Sequence, residues 1–304
     1  MTIAIAAYIA LVVVGSFYFR ISLTPDRLAV LLVIAALGTG RVRAFLRDWS
    51  IFIIVFLAWQ VLQGMSNSFT HARPHVSEMI NLDKLLFFGQ VPTVWLQQHL
   101  YHPGHASWYD IVAALFYAMH FVFPLCCAFA FWFVRRPIFL EFMASLLFLA
   151  LAGFATYIVF PAAPPWIAAQ WYHVIPPVTR IFAVALNAIG GQQSYSTLYQ
   201  WAWSHGGYDW YGAMPSEHAA FPFLCFLYAR KVWKRAGWIL LPYCFGVWFS
   251  VVYLGEHYVA DVIAGLVYAG AAYAAVQLAL RRRAAAGRTA PTQASGTITD
   301  RVPA

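Results

Sequence analysis

The sequence predicts an all-α protein, a polytopic bundle of transmembrane helices. Of its 304 residues, 62% are hydrophobic and only 10% are charged, whereas soluble domains carry about 25% charged residues. Apolar stretches such as 139–160 reach the length of about 20 residues that a helix needs to cross a bilayer. Most of the surface of such a chain faces lipid, so its elements are predicted from the long apolar runs.

Eight apolar stretches are predicted to span the membrane. In chain order they are 2–19, 25–40, 49–64, 109–134, 138–160, 215–230, 238–255 and 257–280. The second is the weakest, because its uninterrupted apolar run covers only 28–38. The first lacks a basic leader and a convincing small-residue cleavage site, which favours an uncleaved span over a removed signal peptide.

The basic residues assign an orientation to these spans. With the N-terminus inside, 14 of the 19 Lys and Arg residues fall on the cytoplasmic side. Five fall outside, namely Arg20, Arg27, Arg73, Lys84 and Arg180. This asymmetry follows the positive-inside rule. It accounts for the net charge of +8 without a nucleic-acid partner, and it places the C-terminus in the cytoplasm.

The chain is predicted to hold one catalytic domain and a tail. Residues 1–283 form the transmembrane domain, with its core at about 49–280. Residues 284–304 have no apolar period, which is typical of a disordered segment, here on the cytoplasmic side. The four cysteines all lie inside predicted spans, so they indicate neither a disulfide framework nor a thiolate metal site.

Two segments between spans carry most of the polar and aromatic residues. Segment 65–108 is too polar to cross the membrane, and Trp95 and Tyr101 favour an interfacial helix at headgroup depth. Segment 161–214 is the longest external loop, and loops of that length in compact proteins are usually functional. All ten histidines map to external segments or spans, so chemistry is expected at the external face.

The strongest local pattern is GEHYVAD, residues 255–261, at the start of the last span. On a helix, His257 and Asp261 share one face, since they are four residues apart. Asp261 can then accept from one ring nitrogen while the other nitrogen faces a substrate. An ionisable group one turn inside an apolar span indicates function.

A second polar cluster lies in MPSEHAAFP, residues 214–222. Pro215 suits the first turn of a helix, and Ser216, Glu217 and His218 gather at its outer end. The free N–H groups and the dipole of a helix N-terminus bind phosphate. Two histidines and a carboxylate there suit phosphoryl transfer, in which one imidazole attacks phosphorus, a carboxylate orients it and the other imidazole protonates the leaving oxygen.

Each pattern also has an alternative interpretation. A histidine near a membrane interface is often only hydrogen-bonded, and His257 with Asp261 can instead form a proton relay or a structural pair in a transporter or lipid-binding protein. His71 with His75, or His99 with His102 and His105, can be metal ligands, but Pro74 and Pro103 disrupt the regular spacing that a metal needs. Arg180 is either a solvated loop charge or a phosphate ligand, since guanidinium bonds phosphate oxygens in pairs.

At these residues the sequence resembles the type 2 phosphatidic acid phosphatase superfamily, in the branch of fungal inositol phosphorylceramide synthase and its bacterial relatives. The resemblance rests on ordered blocks across roughly residues 70–265. They are ARPH at 72–75, the run 83–97 with FGQVPT inside it, YAMHFVFP at 117–124, FPAAPPW at 160–166, TRIFAVALN at 179–187, GAMPSEH at 212–218 and SVVYLGEHYVAD at 250–261.

The resemblance implies a six-span core, preceded here by about two N-terminal spans, and assigns roles to matching residues. His257 becomes the nucleophile that carries a phosphohistidine, and Asp261 orients it. His218 is the general acid for the leaving alcohol and then the base for the acceptor. Ser216 helps to hold phosphate oxygens. No cofactor or metal is implied.

Three departures separate the chain from the common phosphatase pattern. Glu217 stands where the superfamily usually has Gly, and Val251 stands where Arg follows the serine of the third motif. The first motif, with its Lys and Arg-Pro pair, is absent from 161–214. The synthase branch lacks that motif too, so Arg180 is identified as the replacement phosphate ligand.

The expected activity is a metal-independent transfer of a phospho-headgroup, with phosphoinositol as the leading candidate, from a glycerophospholipid to a hydroxyl-bearing acceptor. Hydrolysis of a lipid or polyprenyl phosphate by the same residues is the nearest alternative. The resemblance and the topology place the protein in a bacterial inner membrane, with the active site on the extracytoplasmic face.

Overall fold

The computed structural model describes residues 37–38, 40–64, 73–120, 122–190 and 210–289. These residues form eleven α-helices and no strand, which confirms the predicted all-α class. The helices are α1 (Val42–Gly64), α2 (Ser77–Leu86), α3 (Pro92–Leu100), α4 (Trp108–Ala118), α5 (Val122–Val134), α6 (Arg136–Val159), α7 (Pro165–Gln170), α8 (Ile181–Gly190), α9 (Glu217–Trp233), α10 (Leu240–Tyr253) and α11 (Val259–Thr289). The predicted span 2–19 and nearly all of 25–40 lie outside the described residues.

The long apolar helices confirm a membrane protein. By length and composition, three described helices can cross a bilayer. The first is α6, the second is Ala236–Tyr253, formed by a short 3-10 helix and α10, and the third is Val259–Ala286 of α11. A fourth span results if α4 and α5, which are bent by 52° relative to each other, are taken together. With α1 and α9, these helices occupy the six predicted spans from 49 to 280.

Helix α9 lies in the middle of the bundle. It packs against α5, α6, α10 and α11, and most of its residues are buried. Its apolar and small side chains join an aromatic core between α1, α5 and α6 that includes Trp49, Phe131 and Phe142. Burying these rings fixes the helix whose first turn carries the predicted site residues.

The bend between α4 and α5 has a local cause in Pro124. Proline has no N–H, and its ring clashes with the carbonyl of the residue four positions earlier, which here is His120. The helical hydrogen-bond pattern therefore breaks around His120, and α5 leaves at 52° to α4. The break places His120 inside the bundle, where only 7% of its surface is exposed.

The segments predicted to be external are more structured than the prediction stated. The predicted interfacial helix consists of two helices, α2 and α3, separated by a turn in which Gly89 has φ +90°. The loop predicted to be external contains α7 and α8, and its residues 191–209 lie outside the described residues. Backbone hydrogen bonds join the start of this loop to the segment before α2 and to the loop's own end, since Ala163 N donates to His75 O at 3.0 Å and Ala213 N donates to Ala162 O at 3.2 Å.

The last helix extends further than predicted. α11 continues to Thr289, so residues 284–289, which were assigned to the disordered tail, are helical. Alanine-rich sequence after the three arginines favours helix, because alanine has the highest helix propensity of all residues. Residues 290–304 lie outside the described residues.

Candidate active site

The structure brings the two predicted histidines into direct contact. His257 Nε2 lies 3.2 Å from His218 Nδ1, and the ring centroids are 5.2 Å apart. His257 Nδ1 lies 2.9 Å from Ala213 O. A carbonyl only accepts, so Nδ1 carries the proton and Nε2 carries the lone pair that faces His218. His257 is therefore in the tautomer that a nucleophile with a reactive Nε2 requires.

Asp261 lies beside His257, but it does not provide the shortest contact to that ring. Its Oδ2 is 3.7 Å from His257 Nδ1 and accepts a hydrogen bond from Tyr258 N at 2.8 Å. The carboxylate is fully buried, and its Oδ1 has no hydrogen-bond partner among the described residues. Asp261 thus acts on the imidazole mainly through its charge, while the Ala213 carbonyl sets the tautomer.

The arrangement differs from the predicted helical pair, because α11 begins at Val259 and His257 precedes it. A tight turn separates α10 from α11. Gly255 adopts φ +84° in this turn, and Val251 O accepts from both Glu256 N and His257 N at 3.1 Å. The turn directs the His257 ring across the end of α9 instead of along the face of α11.

Asp83 of α2 fixes the start of α11. Its two carboxylate oxygens accept from Ala260 N at 2.9 Å and Val259 N at 3.2 Å, so a residue from a distant segment caps this helix. Burial, together with the weaker effect of the Asp261 charge, raises the pKa of the Asp83 carboxyl to about 6, although the two amide hydrogen bonds act to lower it. Two carboxylates therefore share the N-terminus of α11.

Ser216 is the N-cap of α9. Its Oγ accepts from Ala219 N at 3.3 Å, which is the usual bond of a capping serine. Pro215 consequently lies before the cap and outside the first turn for which it was predicted, and its carbonyl accepts from Tyr157 OH at 2.8 Å. The N-terminus of α9 is thus held by side chains at both the cap and the preceding residue.

The N-termini of α9 and α11 lie side by side. Ser216 N donates to Asp261 O at 3.0 Å, and a Cβ atom placed on Gly265 would lie only 2.3 Å from Ser216 O. Only glycine permits this approach of the two backbones. Each helix start carries about half a positive charge, so their convergence forms a site suited to an anion.

Arg180 immediately precedes α8 and pairs with Glu256. Its Nε donates to Glu256 Oε1 at 2.6 Å and its Nη2 donates to Oε2 at 3.2 Å. The guanidinium also lies 4.6 Å above the Trp166 ring. Both charged residues are buried, so Arg180 is an ordered group that contacts the neighbour of His257 and is not a solvated loop charge.

Gln97 ties the Arg180 segment to the end of α10. Its amide nitrogen donates to Thr179 O at 2.9 Å and to Tyr253 O at 2.8 Å, and its oxygen accepts from Thr179 N at 2.8 Å. One buried amide therefore satisfies three backbone groups from two segments. This fixes the position of the residue that precedes Arg180.

Glu217, which replaces the usual glycine of the superfamily, is buried in the first turn of α9. A Cβ atom placed on Gly153 of α6 would lie 2.5 Å from Glu217 Oε1, so the carboxylate occupies the space that this glycine leaves. An acidic group at a helix N-terminus is favourable. Gly153 and Glu217 therefore form a size-matched pair.

Two further side chains cover the ring of His218. Tyr117 stacks on it at a centroid distance of 4.3 Å and His120 at 4.0 Å. Neither was among the predicted site residues, although both lie in YAMHFVFP, one of the blocks of the resemblance. The signal in the sequence was a histidine in an apolar run, four residues before a proline.

Among the described residues, the other histidines considered as metal ligands do not gather into a site. His99 Nδ1 bonds the carbonyl of Trp95 on its own helix at 2.7 Å, and His102 stacks with His105 at 6.2 Å. His71 and His205 lie outside the described residues. Within the described ranges, no three His, Cys, Asp or Glu side chains are grouped as a metal site.

Two curated proteins are similar to this chain. Phosphoinositol dihydroceramide synthase of Bacteroides thetaiotaomicron is 28% identical over 202 residues, which are 63% of each chain. Inositol phosphorylceramide synthase of Candida albicans is 28% identical over 164 residues, 51% of this chain and 33% of that protein. The chain thus spans less than two thirds of the length of either relative.

No solved structure matches the chain. The profile of the PAP2 superfamily matches residues 77–275, a range that begins at α2 and includes every side chain described above at the candidate site. The match covers well over half of the sequence, and the chain therefore belongs to the PAP2 superfamily.

Proposed function

We propose that this protein is a membrane lipid phosphotransferase that moves phosphoinositol from a glycerophospholipid to the hydroxyl of a lipid acceptor through a phosphohistidine at His257. The single observation that carries the proposal is the contact of His257 Nε2 with His218 Nδ1 at 3.2 Å, beneath two helix N-termini. The choice of headgroup and acceptor follows the names of the two synthases to which the chain is similar.

The first half of the reaction forms the covalent intermediate. The Nε2 lone pair of His257 attacks phosphorus, and the bond from phosphorus to the diacylglycerol oxygen breaks. His218, as imidazolium, gives its proton to that leaving oxygen. The phosphate enters between the two rings and takes over the contact that they make in the substrate-free site.

The second half reverses the proton transfer. The acceptor hydroxyl gives its proton to neutral His218, and its oxygen attacks the phosphohistidine. The P–N bond breaks, which restores both imidazoles. Arg180, the N-terminus of α9, and the Ser216 hydroxyl as a donor stabilise the charge on the phosphoryl oxygens, so this chemistry uses no metal.

A lateral groove supports a lipid substrate. It has a volume of about 520 Å³ and is lined almost entirely by apolar side chains from the α2–α3 region, α10 and α11, among them Phe87, Trp95, Trp248 and Ile263. The groove lies beside the first turn of α11, because Val259 and Val262 also line it. Hydrocarbon chains bury favourably in such a groove.

The test is an assay of the purified protein in mixed micelles with labelled phosphatidylinositol, with and without ceramide or diacylglycerol, in the presence of EDTA. We expect labelled phosphoinositol to appear on the acceptor and a labelled phosphohistidine to accumulate when the acceptor is omitted. His257→Ala should abolish both signals, and His218→Ala should lower turnover by about 100-fold or more.

A matched control is His99→Ala, since this exposed histidine bonds only its own helix in the described structure. It should leave turnover unchanged. Release of inositol phosphate or phosphate alone would show a hydrolase. Unchanged turnover in His257→Ala would eliminate the phosphohistidine mechanism, and the absence of any turnover with specific lipid binding would favour a binding or transport protein.

A further inference from the structure

The ring of His218 lies between two flat side chains. Tyr117 is stacked on it with an interplanar angle of 14° and a centroid distance of 4.3 Å. His120 is stacked at 29° and 4.0 Å. An imidazole face is too small to hold two rings at these distances, so Tyr117 and His120 cover opposite faces.

The broken span supplies both of these rings. Tyr117 is in the last turn of α4, and His120 lies three residues later at the break that Pro124 causes. His120 also stacks on Phe221 at 4.9 Å and 10°. Phe221 follows His218 by one turn of α9, so His120 occupies a slot between two neighbouring rings of the same helix face.

The stacking of Tyr117 and His120 on the His218 ring restricts the rotation of that ring. Rotation about the Cβ–Cγ bond of histidine is broad, and nothing in the α9 backbone fixes it. With both faces covered, the His218 ring cannot rotate without displacing Tyr117 or His120. Its Nδ1 therefore stays directed at His257 Nε2, the position in which a phosphate would lie.

The titratable side chains recorded around His218 are Tyr117 and His120 from the broken span and His257 from the turn before α11. Beyond His257 lies the carboxylate of Asp261, at 3.7 Å from that ring.

We propose that Tyr117 and His120 are positioning residues for the acid and base His218, acting through their ring faces and not through proton transfer. This inference rests on the proposed role of His218. It predicts that a flat aromatic ring at residue 120 suffices, whether or not it carries nitrogen. It also predicts that both halves of the reaction slow when either the Tyr117 ring or the His120 ring is removed.

The test compares His120→Ala, His120→Phe and Tyr117→Leu in the transfer assay with phosphatidylinositol and ceramide. We expect His120→Ala and Tyr117→Leu to lower kcat by about 10- to 100-fold with KM changed less than twofold, because a misdirected acid slows chemistry and not binding. His120→Phe should retain kcat within about threefold of the unsubstituted protein, because the ring face remains.

The matched control is Phe123→Leu, which removes a tilted ring contact with Tyr243 at 4.0 Å, one turn further along the chain from His120. It should leave kcat unchanged. The inference would be overturned if His120→Phe lost as much kcat as His120→Ala. Normal kcat in both His120→Ala and Tyr117→Leu would also overturn it. Normal turnover of His218→Ala would instead disprove the proposed function, so the two failures are distinct.

Discussion

At the scale of single residues, Arg180, the proposed phosphate ligand, is half of a buried ion pair. The guanidinium is held on two sides by Glu256 and on one face by Trp166. If Arg180 binds phosphate as proposed, the phosphate replaces part of an existing interaction. We therefore expect a low affinity for simple anions and a well-oriented guanidinium for a phosphodiester.

Removing the charge of Glu256 should shift this balance. In Glu256→Gln the guanidinium loses its anionic partner, so we expect a lower KM for phosphatidylinositol together with a loss of stability of about 3 kcal/mol. Kinetics and thermal unfolding in detergent measure the two effects. Glu78→Gln is the control, since its pair with His75 is exposed and should contribute little. A raised KM in Glu256→Gln would contradict the prediction.

Asp83 should give the protein a distinctive pH dependence. Burial raises the pKa of this carboxyl from 3.8 to about 6, so the folded protein holds the proton more tightly than the unfolded chain. The stability that protonation provides is complete below about pH 4 and is lost as the pH rises through about 6, by about 3 kcal/mol at most.

The measurement is the unfolding temperature of the protein and of Asp83→Asn between pH 4 and pH 8. We expect the difference between the two proteins to change across this window and to be constant above pH 7. The asparagine has no charge to bury, but it offers one acceptor oxygen where the carboxylate offers a separate oxygen to Val259 N and to Ala260 N. A difference that does not vary with pH would show that Asp83 does not titrate there.

At the scale of helices, the close contact of α9 with α11 positions the site. Gly265→Ala would place a methyl group 2.3 Å from the backbone oxygen of Ser216, which cannot move without shifting the first turn of α9. We expect turnover to fall by about 100-fold, because His218 is displaced from His257. The protein should also unfold at a lower temperature.

Gly270→Ala on the same helix is the control, since a methyl group there would meet nothing within 4 Å. Alanine favours helix over glycine by about 1 kcal/mol, so this variant should be as active as the unsubstituted protein and at least as stable. Equal effects of the two substitutions would mean that helix propensity, and not the contact with Ser216, explains the result.

The hydrophobic pattern within each segment predicted the helices. It could not predict the contacts between segments that are distant in the sequence. His218, His257 and Asp261 were found because each is a polar residue at the end of an apolar run. Asp83 caps a helix that begins 176 residues later, and Gly265 matters only for its distance to another backbone. Such roles have no periodic signature in a single sequence.

At the scale of the whole molecule, orientation in the membrane remains a proposal that rests on charge. The helix ends predicted to be cytoplasmic hold basic residues with polar partners: Arg136 donates to Asp48 at 2.6 Å, and Lys231 pairs with Glu141 and donates to Gln277 at 2.7 Å. Basic clusters of this kind hold loops on the cytoplasmic side. The histidine site then faces outward.

A fusion experiment tests this orientation. In a bacterial host, green fluorescent protein fused after the last residue should fluoresce, because it folds in the cytoplasm. Alkaline phosphatase at the same position should be inactive, because it requires an oxidising compartment for its disulfides. The opposite pair of results would place the C-terminus outside and move the proposed active face to the cytoplasm.

The side-by-side start of α9 and α11 has a further physical consequence. Like ends of two dipoles repel, so the bundle holds two positive poles together by packing, helped by the buried carboxylates of Asp83 and Asp261. In the proposed mechanism, a phosphoryl group on His257 adds a further negative charge beside these poles. The proposed phosphorylated intermediate should therefore be the state in which α9 and α11 repel each other least.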